Sequence, residues 1–418
     1  MYLSRIVEQK LTSLQKEYQV IAIYGARQVG KSTLASMVFG QTMNAVSLDS
    51  LEERNLANAN PALFLEAHPY PLIIDEIQKA PALLSEIKAV VDKEKIHCLK
   101  EGKEPALMYV LTCSNQFELQ EAVSESLSGR VAVLNIASLS NAEIEKAIGS
   151  PFSPDLDVLK EKSKANERLY ASRKQIFEKI YKGGMPAYVI EKKERETYFS
   201  SYISTYLERD VKKAINAGKE RDFTRFLEYM AFRTAQQINY DDIGRNIGVD
   251  ARTAKSWVSL LLSSGIAITL EPFARNISKR VVQTEKFYFM DTGLASYLCK
   301  WMSPEMLEKG AMSGAFYETY AVSEIIKSFM NGGLDFRKFL YYYRDRDQKE
   351  VDLIIEKDDS IYPIEIKKGI NPVGPSFNFA FLNKYGKKIE KGLVIDSRKD
   401  VLPINENNWY CPLHLIGI

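Results

Sequence analysis

Nine consecutive residues, Gly25-Ala26-Arg27-Gln28-Val29-Gly30-Lys31-Ser32-Thr33, have the types and spacing needed to hold a nucleoside triphosphate. They fit the pattern G-x-x-x-x-G-K-[ST]. An apolar run, Val20-Ile21-Ala22-Ile23-Tyr24, precedes them, and Leu34, Met37 and Val38 follow at helical spacing. Strand, glycine-bearing turn and helix are therefore expected in that order. Gly25 and Gly30 permit backbone angles that a side chain opposes. The turn can then aim its N–H groups at phosphate oxygens, with the positive end of the next helix behind them. Lys31 is the expected point charge for the β- and γ-phosphates, and the Ser32 hydroxyl is the expected ligand for Mg²⁺. ATP and Mg²⁺ are the cofactors this stretch implies.

Pro71-Leu72-Ile73-Ile74-Asp75-Glu76 reads as a buried parallel strand ending in two carboxylates. Asp75 is expected to hold the metal ion and Glu76 to polarise the attacking water. Another apolar strand, Ala106 to Leu111, runs into Thr112-Cys113-Ser114-Asn115. Ser114 is preferred there as the contact to the γ-phosphate or the water; capping of a following helix is the alternative. Arg130, before the strand Val131 to Ile136, could offer a guanidinium to the γ-phosphate. It would do so in its own subunit or across a homo-oligomer; an ordinary surface ion pair is the equal alternative.

These residues, with Leu48-Asp49, Gln78 and Ser126 to Arg130, resemble the AAA-type ATPases of bacteria and archaea whose C-terminal half is a domain of unknown function. The resemblance continues through Gly183 to Pro186, Tyr206 to Val211, Phe287 to Leu294 and Glu350 to Lys367. It implies an AAA-like parallel sheet at residues 1–140, a helical lid or linker at 141–235, a winged helix at 236–300 and a nuclease-like end at 301–418. The expected fold class is α/β throughout.

In the last segment, the order of a helix acid (Glu318), a strand acid (Asp352) and Glu365-x-Lys367 on the next strand resembles the PD-(D/E)xK nuclease fold. Alternation along a strand places Glu365 and Lys367 on one side. Glu318, Asp352 and Glu365 would then hold a second Mg²⁺ or Mn²⁺ for phosphodiester cleavage, with Lys367 orienting water. A degenerate, non-cutting version that recognises a protein partner is the alternative.

The elements that must position these groups are legible in part. Leu3, Ile6, Val7, Leu11 and Leu14 have helical spacing. Leu159, Leu169, Ile176, Ile180, Phe226, Leu227 and Met230 mark helices in the lid, where Arg209 is a candidate second phosphate sensor. Tyr240 to Ile247 and Ala251 to Ser263 read as two helices joined by Gly248-Val249-Asp250. Ala254, Val258, Leu261 and Leu262 are expected inside, and a strand is expected after Gly265. Arg252, Lys255 and Trp257 are expected on the exposed face, and Arg275, Lys279 and Arg280 on a wing. From Arg245 to Arg280, six basic residues stand against two acids, Asp250 and Glu271, which suits DNA-backbone contacts. Packing between domains is the alternative use of such a segment.

Composition sets broad limits. The 418 residues are 45% hydrophobic and 26% charged, with net charge +2 and pI near 8.1, so any basic surface must be local. Four cysteines without a C-x-x-C pair suit a reduced, cytoplasmic setting, and three histidines lack zinc-ligand spacing. No apolar run reaches membrane-spanning length and no signal peptide is evident, so no membrane partner is expected.

Overall fold

The computed structural model describes residues 2–114, 127, 129–206, 219–274, 284–345, 347–370, 373–374 and 376–418. Arg209, Asn115, Arg275, Lys279 and Arg280, singled out above, lie outside the described residues.

The N-terminal part is α1 (Glu8–Leu14), β1 (Val20–Tyr24), α2 (Lys31–Phe39), β2 (Asn44–Ser47), α3 (Leu51–Ala59), α4 (Pro61–Ala67), β3 (Leu72–Asp75), α5 (Leu83–Glu101), β4 (Tyr109–Cys113) and β5 (Val131–Asn135). The five strands form a sheet of order β2-β3-β4-β1-β5, all pairs parallel. β1 alternates between two cores. Val20, Ala22 and Tyr24 pack with Phe64, Leu83 and Ile87 from α4 and α5, whereas Ile21 and Ile23 pack with Leu11, Leu34 and Phe39 from α1 and α2. A strand covered on both faces must be apolar at every position, as this one is. Parallel pairing also gathers every strand end that carries a functional group at one edge.

Two local expectations need correction. Helix α1 begins at Glu8, not Leu3, because the Arg5 side chain is engaged elsewhere and Leu3 lines a cleft. Met37 is 54% exposed, so the inward stripe of α2 is Leu34, Ala35 and Phe39.

The chain continues through α6 (Asn141–Ile144), α7 (Leu156–Ala165), α8 (Arg173–Lys182), α9 (Pro186–Glu191), α10 (Arg195–Tyr206) and α11 (Glu220–Phe232). β6 (Gln236–Gln237), α12 (Tyr240–Ile247), α13 (Ala251–Ser263), β7 (Ala267–Leu270) and β8 (Lys286–Phe289) follow, with a small antiparallel sheet of order β6-β8-β7. Asp250 caps α13 by accepting from the Thr253 N–H, as a turn-forming acid should. Leu262 is only half-buried, and Trp257 is buried rather than exposed. The indole packs edge-on against Phe223 and Phe226, at 5.2 and 5.4 Å between centroids. Those two rings lie three apart on α11, whose apolar stripe continues through Leu227, Met230 and Ala231.

The remainder contains α14 (Thr292–Leu298), α15 (Pro304–Lys309), α16 (Ser313–Asn331), β9 (Leu340–Arg344), β10 (Glu350–Lys357), β11 (Ser360–Ile366), β12 (Lys388–Ile389), β13 (Gly392–Asp396), β14 (Leu402–Pro403) and β15 (Asn408–Pro412). Six strands run β14-β15-β13-β11-β10-β9, with β12 beside β11, in a mixed sheet. β9, β10 and β11 pair antiparallel; β11, β13 and β15 pair parallel. Helix α16 is apolar on most of its surface and buried along nearly its whole length, as a helix enclosed by protein must be. One hydrophobic cluster extends from Ala137 to Ile418 through α16, the small antiparallel sheet and the mixed sheet.

Trp257→Ala should remove the edge-on ring contacts beneath α13 and leave a cavity. Unfolding in urea is expected to show a loss of about 3–5 kcal/mol; a change within about 0.5 kcal/mol, the range usual for surface positions, would place the indole in solvent after all.

Candidate functional site

The carboxyl edge of the parallel sheet collects the first set of groups. Register pairs Ser47 with Asp75, and Tyr24 with Cys113 and Asn135, so β1 releases the phosphate-loop residues between the ends of β4 and β5. Gly25 lies directly against β5: a Cβ there would stand 2.1 Å from the Ile136 carbonyl oxygen. Gly30 has φ +93°, a left-handed conformation, and starts α2. The Lys31 ammonium, 5% exposed, donates to the carbonyls of Gly25 (3.0 Å) and Ala26 (2.9 Å). Burial lowers its pKa, and Glu76 is the largest opposing influence.

Asp75 is surrounded by hydroxyls. Ser32 Oγ donates to its Oδ1 at 2.5 Å, Thr112 Oγ1 donates to the same oxygen, and Ser47 Oγ donates to Oδ2 at 3.2 Å. The next residue, Glu76, takes φ 59° and ψ 46°, a left-handed conformation outside the strand. For a side chain other than glycine this costs about 1–3 kcal/mol. The turn aims the carboxylate across to β4, where Ser114 Oγ donates to Oε1 at 2.9 Å; Gln78 donates to Oε2. Ser32, Asp75, Glu76 and Ser114 thus come together as expected. Thr112, passed over in favour of Ser114, donates to Asp75 and accepts from the Glu76 N–H at 3.2 Å; Ser47 was missed.

Arg130 does not join them. Val131 pairs with Val20, the first residue of β1, so Arg130 stands at the amino edge of the sheet. At about 3.3 Å per residue it is roughly 15 Å from its own phosphate loop. A role there in the same subunit is excluded; its guanidinium pairs with Asp92 at 2.5 Å.

The phosphate loop opens into a cleft of about 770 Å³. Beyond Arg27 to Thr33, Glu76 and Ser114, its walls include Tyr2 and Leu3, and Pro186, Ala187 and Ile190 of α9. The Gly183-Gly184 pair and Pro186 were the only sequence signals for this wall. Hard oxygen donors at Ser32 and Asp75 suit Mg²⁺, so the residues present fit the expected ion.

A second polar centre lies at the C-terminal sheet. Glu318 from α16 and Glu350 and Asp352 from β10 draw together around one ammonium, and Glu365 of β11 pairs with Lys367 beyond the strand; Glu350 was not among the residues expected here. Asp352 sits at a register shift between Val351 and Ile354, a β-bulge that alternation alone cannot foresee. What occupies the centre differs from the expectation. Lys286 of β8, 3% exposed, places its ammonium 2.7 Å from Glu318, 2.5 Å from Glu350 and 3.8 Å from Asp352. Tyr288 donates to Glu318 at 2.7 Å, the Ile366 N–H donates to Asp352 at 2.8 Å, and Lys367 pairs with Glu365. The metal role expected of Glu318, Asp352 and Glu365 is corrected accordingly: their charge is compensated by ammonium groups. Among the described residues, no group of three or more His, Cys, Asp or Glu side chains is arranged to hold a metal ion. A lysine in the apolar strand Lys286-Phe287-Tyr288-Phe289 was the missed signal, since a buried charge demands a partner.

Burial pushes the Glu318 carboxyl up to about 8, and Asp352 adds to this against Lys286 and Tyr288. Glu365 is pushed up to about 7 by burial and Asp352. Burial also raises Asp352, against Lys286. Burial disfavours the Lys286 ammonium, but Glu318, Asp352 and Glu350 together hold its pKa above that of an ordinary lysine.

Arg252 and Lys255 are exposed on α13, as expected. No helix among the described residues is long and apolar enough to cross a membrane.

Comparison with known proteins agrees with the first centre. Residues 17–145 match the family described as AAA domain. Residues 173–305 and 313–416 match two families described as domains of unknown function, DUF8612 and DUF4143. The uncharacterized proteins Mb2031c of Mycobacterium bovis and Rv2008c of Mycobacterium tuberculosis are each 25% identical over 356 residues, 84% of this chain and 71% of theirs. Among solved structures, the Walker-type ATPase PABY2304 of Pyrococcus abyssi aligns with TM-score 0.43 and 13% identity, over 70% of this chain and 94% of that one. A mutant RuvB of Thermotoga maritima aligns with TM-score 0.33 and 15% identity, over 72% and 97%. The sequence match over residues 17–145 and the parallel five-stranded sheet support an ATP-binding P-loop domain of the AAA type in the N-terminal part.

A carboxyl whose pKa is raised by folding favours the folded state fully below its unfolded pKa, and this contribution is lost as pH rises through the folded value. For Glu318 the window runs from 4.5 to about 8. Over that window the melting temperature is expected to fall as this contribution is lost, and Glu318→Gln is expected to lessen the fall. Equal pH dependence in wild type and variant would exclude Glu318 as the titrating group.

Proposed function

We propose that the chain hydrolyses ATP and couples the nucleotide cycle to nucleic-acid binding. The observation that carries the hydrolase reading is the convergence of Ser32, Asp75, Glu76 and Ser114 at the mouth of the phosphate loop. Loop N–H groups and Lys31 bind the phosphates. Ser32 and Asp75 hold Mg²⁺, which when bound offsets the charge of the β- and γ-phosphates. Glu76, oriented by Ser114, accepts the proton of the attacking water. Arg130, at the far edge and paired with Asp92, fits the ordinary surface ion pair; a role toward the nucleotide of a neighbouring copy in a homo-oligomer would require that pair to open.

Coupling is supported by a backbone contact: a Cβ on Gly265, at the end of α13, would stand 3.1 Å from the Ala26 nitrogen. The helix pair α12–α13 thus abuts the phosphate loop. With the β7–β8 pair it is read as a winged helix, in which Arg252 and Lys255 face DNA phosphates. Arg275, Lys279 and Arg280 belong to the same proposal from sequence alone. The proposed division into a core (1–140), lid (141–235), winged helix (236–300) and C-terminal module (301–418) follows these roles.

For the C-terminal module, the Lys286 ammonium favours the alternative reading, a non-cutting relative of the nuclease fold kept for binding.

Lys31→Ala is expected to abolish ATP turnover, and Glu76→Gln to retain ATP binding while slowing hydrolysis at least about a hundredfold, the usual scale for removal of a general base. Steady-state phosphate release and nucleotide titration measure the two; full turnover in both variants would refute the hydrolase reading.

Replacing Arg252 and Lys255 together with Ala should weaken DNA binding about uniformly across sequences. The slope of log K against log salt should flatten by about 2, close to one unit for each phosphate no longer neutralised. No affinity of the wild type at low salt would leave the helix pair a packing element.

A further inference from the structure

The Arg5 guanidinium makes three contacts, all inside the protein. Nε donates to Glu143 Oε1 at 2.8 Å, Nη1 to the Val29 carbonyl at 3.0 Å and Nη2 to the Ala137 carbonyl at 2.9 Å. The residue is 5% exposed and Glu143 is 2% exposed. Glu143 is held in turn: its Oε1 accepts from the Ile6 N–H at 3.0 Å and its Oε2 from the Ser140 N–H at 2.8 Å. Val29 precedes Gly30 in the phosphate loop. The Val29–Gly30 peptide is planar and trans, so its C=O and N–H point in opposite directions. Holding the Val29 carbonyl on Arg5 therefore fixes the direction of the Gly30 N–H, one of the loop donors expected to meet phosphate. Ala137 follows the stretch of β5 that lies against Gly25, so the same guanidinium ties the late part of the loop to the strand that supports its beginning.

We infer that Arg5, on the wall of the same cleft, is a positioning residue for phosphate binding: its hydrogen bond to the Val29 carbonyl sets the plane of the Val29–Gly30 peptide. This rests on the ATP-binding reading and adds to it a residue from the N-terminal segment, outside both nucleotide motifs. Only arginine suits the position. Its planar fork reaches three acceptors in fixed directions, whereas a lysine ammonium can keep the Glu143 pair but not the geometry.

The test uses the full chain with ADP and ATP. Arg5→Lys is expected to raise the ADP dissociation constant and the KM for ATP at least about tenfold, the scale of one charge-assisted hydrogen bond, while kcat stays within about threefold. A purely structural role would instead lower kcat by reducing the folded fraction and leave KM unchanged. Arg5→Met combined with Glu143→Gln leaves no unpaired charge and is expected to give the same split, so a folding defect of the lysine variant does not decide the matter. ADP affinity and KM within about twofold of wild type in either folded variant would overturn the inference alone. Failure of the wild type to bind ADP would overturn the nucleotide reading, and this inference with it.

Discussion

The buried carboxylate of Glu143 fixes the junction on which the other parts converge. It sits at the first turn of a short helix just beyond the parallel sheet and accepts from Arg5, Ile6 and Ser140. A charge so enclosed is tolerated only when fully paired. The surrounding segment is therefore held tightly. The Leu139 N–H donates to Gly184 at 2.8 Å, and the Lys327 ammonium donates to the Leu139 carbonyl at 3.2 Å. Glu324 accepts from the Asn141 N–H at 2.6 Å. Within a few residues, the exit of β5 is bonded to the N-terminal segment, to the start of α9 and to α16. The ATPase sheet and the C-terminal helix thus share polar contacts as well as apolar ones.

Two polar centres in this molecule solve the problem of crowded carboxylates differently. At the sheet edge, Asp75 and Glu76 are directed apart by the left-handed turn at Glu76 and are satisfied by hydroxyl and amide donors. That arrangement leaves Glu76 facing the cleft. At the C-terminal sheet, Glu318, Glu350 and Asp352 draw together around one buried ammonium. The first is organised to meet a ligand; the second is organised around its own lysine.

The ring packing of Phe223, Phe226 and Trp257 anchors α13 on α11 and so holds Arg252 and Lys255 outward. The same helix ends at Gly265, against the phosphate loop. A single helix and the turn after it therefore reach from the loop to the exposed basic residues.

Local chemistry was legible from the sequence. The phosphate loop needs its glycines and lysine at fixed spacing, and a parallel strand buried on both faces needs an uninterrupted apolar run. Both leave clear traces in consecutive residues. The order Glu318, Asp352, Glu365, Lys367 pointed to one region of the C-terminal sheet but not to Lys286, which Glu318 and Asp352 share. Tertiary structure decided what periodicity does not encode. Register put Arg130 at the wrong edge of the sheet for its own loop, since strand direction is a property of pairing. A neighbouring helix buried Trp257, which helical spacing left on an outer face. Arg5 and Lys286 gained their roles from partners far along the chain, Glu143 for the first, and Glu318, Glu350 and Asp352 for the second. A buried charge is explained by the groups that enclose it, and those are brought to it only by the folded chain.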